Sequence, residues 1–338
     1  MTLDDAFDRI VYLLDRSLAP GPKVRAFQRA RRIAAERGED ELRALIAAGR
    51  LTELEGIGAS TGSVIIEALA GATPTYLADL EAGTEIPLGE GAELRDALRG
   101  DCHAHSTWSD GGAPIRRMAE TARALGHDYL VMTDHSPRLT VAHGLSPERL
   151  REQLVEIDAL NRELDPFRIL TGMEVDILED GTLDLDDALL GELDVVVASV
   201  HSKLRLPREE MTRRMVLAVA NPHTDILGHC TNRKVTGRGR PPSDFDAEIV
   251  FAACREFDTA VEINCRPERQ DPPDELLALA VDWDCPIAID TDAHAPGQLE
   301  WQNYGCDKAA RHGIEPAAVV NTRTADDLVA WAAGHDAA

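Results

Sequence analysis

From residue 100 onward, short apolar runs end again and again on side chains that bind metals. GDCHAH reaches His103 and His105, YLVMTDH reaches Asp134 and His135, and RILTGMEVDI passes through Glu174. DVVVASVH reaches His201, TDILGHC reaches His229, AVEINC reaches Asn264, and PIAIDTDAH reaches Asp292 and His294. Helical stretches separate these seven segments, and that alternation implies a parallel sheet or a barrel. A barrel of parallel strands opens its site at the C-terminal strand ends, where the following loops meet. Six of the eleven histidines fall at those ends. One buried histidine needs only a hydrogen bond, but six of them interleaved with carboxylates are too costly to desolvate without cations between them. The pattern therefore predicts a multinuclear metal site.

The first segment shows the spacing most plainly. Alternate residues of an extended chain point to one side, so His103 and His105 can aim both imidazoles at one point, with Asp110 five residues further on. A shell of imidazole and carboxylate without thiolate suits Zn, Mn or Fe(II) rather than Mg or Ca alone. Few protein ligands per ion leave positions open for water and for substrate oxygens. Cys102 and Cys230 adjoin candidate ligands, and strand alternation should turn both away into packing. His127, His143, His223 and His312 match no ligand position. Trp108, Trp301 and Tyr304 could stack on a base, with ordinary packing as the default for all three.

Composition narrows the classes. The six cysteines (102, 230, 254, 265, 285, 306) include no CxxC pair, which suits a reduced, cytoplasmic protein better than a disulfide framework or a thiolate zinc site. A net charge of −25 argues against indiscriminate nucleic-acid binding. Two or three bound divalent cations would offset part of that charge locally, so a phosphate substrate stays compatible. No apolar run of about 18 residues is present to span a membrane, and the acidic, amphipathic MTLDDAFDRI is unlike a secretory signal. Aromatic residues make up only 4% of the chain, so Leu, Val, Ile and Ala must fill the core.

Residues 3–82 read as helical throughout. LDDAFDRIVYLLDRSL puts Phe7, Ile10, Val11 and Leu14 on one helical face. Pro20-Gly21-Pro22 breaks the chain, and KVRAFQRARRIAAER follows with six basic residues, among them Arg29 and Arg32, against Glu36 alone. That helix is either a solvated face or a contact for nucleic acid. In LTELEGIGASTGSVIIEALAG, two helical segments meet at Gly56-Ile57-Gly58 and resemble a helix-hairpin-helix element. There, backbone N–H groups at a helix start approach a DNA phosphate; a buried glycine turn in a helical bundle explains the same residues. Three parts follow: a helical domain over 1–82, a linker over 83–99, and a catalytic domain over 100–338.

HAHSTWSDG, TDHS, the isolated Glu174 in GMEVDIL, SVHS, GH and DTDAH resemble the polymerase and histidinol phosphatase (PHP) family over residues 100 to about 330. The closest form is the C-terminal PHP domain of bacterial family X DNA polymerases, and residues 5–82 are similar to the small N-terminal helical domain of those proteins. Ala59 departs from the pattern, since a lysine often follows the second glycine there. Family X polymerases insert palm and fingers near residues 83–95; thirteen residues cannot hold them, so polymerisation is not expected. The resemblance implies an α/β fold, a distorted seven-stranded (β/α)7 barrel beside a small all-α helix-hairpin-helix domain. It also implies nine metal ligands: His103, His105 and Asp292 on one ion, His201 and His229 on a second, Glu174 bridging these two, and Asp110, His135 and His294 on a third.

Two to three such ions (Mn, Zn or Fe) would favour hydrolysis of a phosphate ester, by acidifying water and sharing charge on the phosphoryl oxygens. Glu174, Asp292 and Arg233 are the candidate catalytic residues. Lys203, Arg233, Lys234 and Arg266 are candidates to hold phosphate, Arg233 foremost because it lies closest in sequence to a ligand; Arg238, Arg240 and Arg269 lie in the same basic stretches. Gly56, Gly58, Arg29 and Arg32 are candidates to hold DNA. Three functions fit: a phosphoesterase acting at DNA 3′ ends or abasic sites in repair, a small-molecule phosphatase of the histidinol phosphatase kind, and a non-catalytic module with structural metals. The complete ligand set counts against the third, and the sequence leaves the oligomeric state open.

Overall fold

The computed structural model describes residues 1–335. It divides into two compact units, Met1–Ile86 with Pro296–Gln298, and the remainder from Pro87 onward. Among the described residues, no helix is long and apolar enough to cross a membrane.

The first unit contains the helices Leu3–Arg16, Gly21–Arg37, Glu39–Ala47, Ala59–Leu69 and Thr75–Gly83. Thr2 and Asp5 form a capping box that starts the first of them. Its buried face is Phe7, Ile10, Leu13 and Leu14, packed with Phe27, Leu42, Ile65 and Leu77, while Val11 is only partly buried. The turn before Ala59 needs its glycine. Gly56 has a φ of +93°, and a Cβ there would lie 2.8 Å from Ile33 Cδ1 and 2.9 Å from Arg29 Cδ. Residues 83–99 carry the short helix Ala92–Ala97, and from Pro87 the chain belongs to the second unit.

Seven strands form the second unit's sheet: β1 (Gly100–Ala104), β2 (Tyr129–Met132), β3 (Arg168–Asp176), β4 (Val195–Ser199), β5 (Ile226–Leu227), β6 (Ala260–Asn264) and β7 (Ile287–Asp290). They lie side by side in chain order, and every neighbouring pair is parallel. A parallel bridge between Ala104 and Ala293 brings the first strand beside the last. The result is the nearly closed parallel barrel expected of the sequence. All strands but β3 are buried at every position, as fits short apolar runs covered on both faces.

Successive residues of β2 go to opposite faces: Tyr129 and Val131 pack with Leu170, Val195, Val197, Ile226 and Ala288, while Leu130 and Met132 pack with Met118, Ile157 and Ile169. Leu170 and Glu174 share a face of β3, so the first of these clusters floors the site. The simple alternation expected at β1 fails. A register shift between Asp101 and Ala104 inserts a residue, and Cys102 packs beside Tyr129 and Val131, the packing role expected of it.

Candidate metal centre

Glu174 is the centre of the strand-end cluster. Its Oε2 lies 3.3 Å from His103 Nε2 and 3.5 Å from His105 Nε2. Its Oε1 lies 2.8 Å from His229 Nε2 and 3.1 Å from His201 Nε2. Asp292 Oδ1 is 3.3 Å from His105 Nε2 and 4.0 Å from His103 Nε2. A third group gathers at Asp110, whose Oδ1 is 3.3 Å from His294 Nε2 and 3.5 Å from His135 Nε2. Ligand atoms about 2.1 Å from a tetrahedral ion stand about 3.4 Å apart, close to most of these separations.

The donor atoms also lack other employment. His103 Nε2, His105 Nε2 and Glu174 Oε2 are buried and have no hydrogen-bond partner, a costly arrangement unless something charged fills the space between them. Among the described residues, three sets could hold an ion: His103, His105 and Glu174; His135, Glu174 and His201; and His105, Asp110, His135 and His294. Seven of the nine expected ligands fall in these sets, His105, His135 and Glu174 each in two, while Asp292, beside His105, and His229, hydrogen-bonded to Glu174, lie outside all three.

Local structure explains the convergence. β5 ends just before Gly228, where a Cβ would lie 2.3 Å from Ser199 Oγ, so only glycine lets His229 come this close to β4. Asp292 adopts a φ of +50°, the left-handed conformation that Asp tolerates better than most residues. This turn leaves Asp292 and His294 both facing inward. Asp134, at the end of β2, accepts from Ser106 N (2.8 Å), Ser106 Oγ (2.7 Å), Ser109 Oγ (2.5 Å) and Gln153 Nε2 (2.6 Å), tying down the loop that carries Asp110.

Electrostatics inside the cluster are strong. Burial would raise the Glu174 carboxyl, but the imidazoles of His201, His103 and His135 outweigh it and hold it well below the carboxylate range. Burial likewise opposes ionisation of Asp292, and the guanidinium groups of Arg266 and Arg269 overcome it. His201 is pushed up to about 9, because Glu174 and Asp176 outweigh the burial that would lower it.

The sequence reading picked Asn264 from AVEINC and missed Glu262. Glu262 is fully buried, accepts from His103 Nδ1 at 2.5 Å, and takes the His229 backbone N–H on its other oxygen. Glu262 shares a strand face with Asn264, as residues two apart do, and Asn264 Nδ2 donates to both Glu262 and Asp292. His294 Nδ1 lies 2.9 Å from the Asp292 carbonyl oxygen and 2.8 Å from the donor Arg266 Nη1. Such outer partners set the ring orientation and tautomer of a ligating histidine.

The phosphate candidates separate. Arg266 Nη1 donates to the Asp292 carbonyl at 2.9 Å and lies 3.5 Å from Asp292 Oδ1. Arg269 Nε lies 3.2 Å from Asp292 Oδ2. Arg233, the foremost candidate, does not reach the cluster: its guanidinium donates to the carbonyls of Arg269 and Gln270. Asn232 before it has a φ of +51°, and the chain turns there. Lys203 sits on an exposed loop 4.0 Å from Glu179, and Lys234 lies in a hairpin beyond Arg233. Trp301 is buried with Arg266 over its ring, Trp108 donates to Glu156, and Tyr304 is half-exposed.

In the helical unit, Gly58 N donates to Thr61 Oγ1 at 2.9 Å, so that N–H is capped internally. Arg32 pairs with Glu36, Arg31 with Asp4 and Asp8, and Arg37 with Glu41. Half of the basic helix therefore has internal counter-charges.

Buried, partnerless donor atoms grouped at the open end of a parallel barrel, with arginines alongside, suit water activation and phosphate binding and suit few structural roles. The molecule is a metal-dependent phosphoesterase. The PHP domain family matches residues 101–264. DNA polymerase/3'-5' exonuclease PolX of Bacillus subtilis (strain 168) is 43% identical over 259 residues, covering 76% of this chain and 45% of its own length. A "probable phosphatase" of Thermoanaerobacter sp. (strain X514) is 31% identical over 234 residues, covering 66% of this chain and 89% of its own. This chain belongs to the PHP family. A more distant likeness joins it to the histidinol phosphate phosphatase of Lactococcus lactis subsp. lactis, solved with zinc, L-histidinol and phosphate, at 20% identity and a TM-score of 0.45 over 64% of this chain and 95% of that one.

Proposed function

We propose that this chain hydrolyses phosphodiester bonds at DNA ends, as a 3′–5′ exonuclease, 3′-phosphatase or abasic-site nuclease in repair. The observation that carries the DNA reading is the 43% identity, over 76% of this chain, to a protein named as a DNA polymerase and 3'-5' exonuclease.

His103, His105, Asp292 and Glu174 Oε2 would hold one divalent ion, His201, His229 and Glu174 Oε1 a second, and Asp110, His135 and His294 a third. Manganese, zinc or iron in these positions would acidify water to supply a nucleophile and offset charge on the phosphoryl oxygens. Arg266 and Arg269, beside Asp292, would orient the phosphate through charge-assisted hydrogen bonds. Glu262 keeps His103 in one tautomer, with Nδ1 protonated and Nε2 free to ligate. In the helical unit, Arg29 and the turn at Gly56 would grip the strand, since the Gly58 N–H is taken by Thr61 and Arg32 pairs with Glu36.

The second reading is a phosphatase for a small monoester such as histidinol phosphate. The Thermoanaerobacter relative favours it, since this chain matches 89% of that protein's length. Parallel assays of the manganese-loaded protein on a 3′-labelled oligonucleotide and on histidinol phosphate separate the two. Shortening of the oligonucleotide, abolished by a chelator and restored by manganese or zinc, is the expected result. Turnover of histidinol phosphate alone would reject the DNA reading.

A further inference from the structure

Residues 233–240 read RKVTGRGR, four cations and no acid in a chain of net charge −25. The segment folds back as a hairpin, with Lys234 N donating to Arg240 O at 2.9 Å and Arg240 N to Lys234 O at 2.8 Å. Gly237 and Gly239, with φ of +62° and +64°, make its turn.

The hairpin continues the metal cluster outward. Arg269, 3.2 Å from Asp292, donates through Nη1 to Asn232 Oδ1 at 2.7 Å. Arg240 donates to the same oxygen, and through Nε to Asn232 O at 2.6 Å. One neutral amide oxygen thus takes hydrogen bonds from two guanidinium groups. Burial, and then the like charges of Arg269 and Arg240, hold the Lys234 amine below its ordinary value.

Crowded like charges repel, and inside this chain they have little to pair with. Arg266 is matched by Glu268 and Asp292. Among the described residues, Lys234, Arg238 and Arg240 form no ion pair within 4.0 Å. The acids at the barrel mouth would already be offset by the divalent ions they hold. An anion from outside is the counter-charge that remains.

We propose that the 233–240 hairpin is a second phosphate subsite: while Arg266 and Arg269 orient the phosphate under attack, Lys234, Arg238 and Arg240 take the next phosphate of a polynucleotide strand. This rests on the phosphodiester reading for the identity of the substrate, and it makes two adjacent phosphates the feature that the site selects.

The test is calorimetric titration of the full, manganese-loaded chain with two probes, thymidine 5′-monophosphate and a phosphorothioate-linked trithymidylate that resists cleavage. Among the described residues Lys234 and Arg238 make no side-chain hydrogen bond, so the double variant Lys234→Ala/Arg238→Ala should melt like the parent. It is expected to bind the trinucleotide about tenfold more weakly and with a shallower salt dependence, because two phosphate-neutralising cations are gone. Affinity for the monophosphate should stay within about twofold on the same counterion argument. Equal affinity of parent and variant for the trinucleotide overturns the subsite, as does an equal loss for both probes or no binding of the trinucleotide by the parent. A parent that binds the trinucleotide through the hairpin yet shortens no oligonucleotide leaves the subsite standing and rejects the DNA-end activity.

Discussion

Glu262 Oε1 lies 2.5 Å from His103 Nδ1, with both side chains fully shielded from solvent. The bond points the opposite nitrogen at Glu174 Oε2, 3.3 Å away. Glu262→Gln keeps the shape but removes the charge that holds the imidazole proton. Metal affinity or activity is expected to fall about 10- to 100-fold, the usual cost of losing an outer carboxylate partner. Titration of the apo protein with manganese or zinc measures it, and affinity equal to the parent's would show that Glu262 is only a packing group.

Glu174 faces both inner groups of imidazoles, one through each oxygen. Replacing it by alanine removes the shared ligand. The variant should lose both neighbouring ions, about two per chain, along with turnover, since both sets are built on that carboxylate. Elemental analysis after desalting, compared with the parent, tests this directly; retention of the parent's full metal content would speak against a bridging role.

Arg233 and Arg269 should behave differently although both are arginines. Arg269→Ala removes a cation beside Asp292 and is expected to lower kcat/KM about 10- to 100-fold, the equivalent of a charge-assisted hydrogen bond. Arg233→Ala removes support for the carbonyls of Arg269 and Gln270, so it should act less strongly and mainly through the loop. Steady-state kinetics on one phosphoester rank the two variants; a larger loss for Arg233 would restore the assignment made from sequence proximity.

His127, buried before β2, makes the barrel acid-sensitive. Burial, reinforced by the charge of Arg95, lowers its imidazole to about 3. The folded state refuses a proton that the unfolded chain accepts below about pH 6.5. The stability it contributes is therefore complete above pH 6.5 and is lost as the pH falls toward 3, by up to about 1.4 kcal/mol per pH unit. Urea unfolding at pH 7 and pH 4.5 should show His127→Gln losing less stability between the two than the parent does. Equal losses would place the acid sensitivity elsewhere.

The site was legible because metal ligands interrupt apolar strands at their open ends, where a packed core would tolerate no bare polar atom. His103, Glu174 and Asp292 stand out for that reason, and the parallel barrel follows from the same alternation. Glu262 was hidden because it sits inside the run AVEIN, where one acid looks like a solvent-facing strand position and the burial of both sheet faces cannot be read. Arg233 misled because closeness in sequence to His229 ignores the left-handed turn at Asn232. In the helical unit, the glycines of GIG were visible, but the capping of Gly58 N by Thr61 depends on a rotamer that no spacing reveals.

Anomalous diffraction from crystals grown with manganese tests the central claim most directly. The account predicts one peak among His103, His105, Asp292 and Glu174 Oε2, and another among His201, His229 and Glu174 Oε1, each about 2.0–2.3 Å from its ligand atoms. A map with no peak within bonding reach of Glu174 would contradict it.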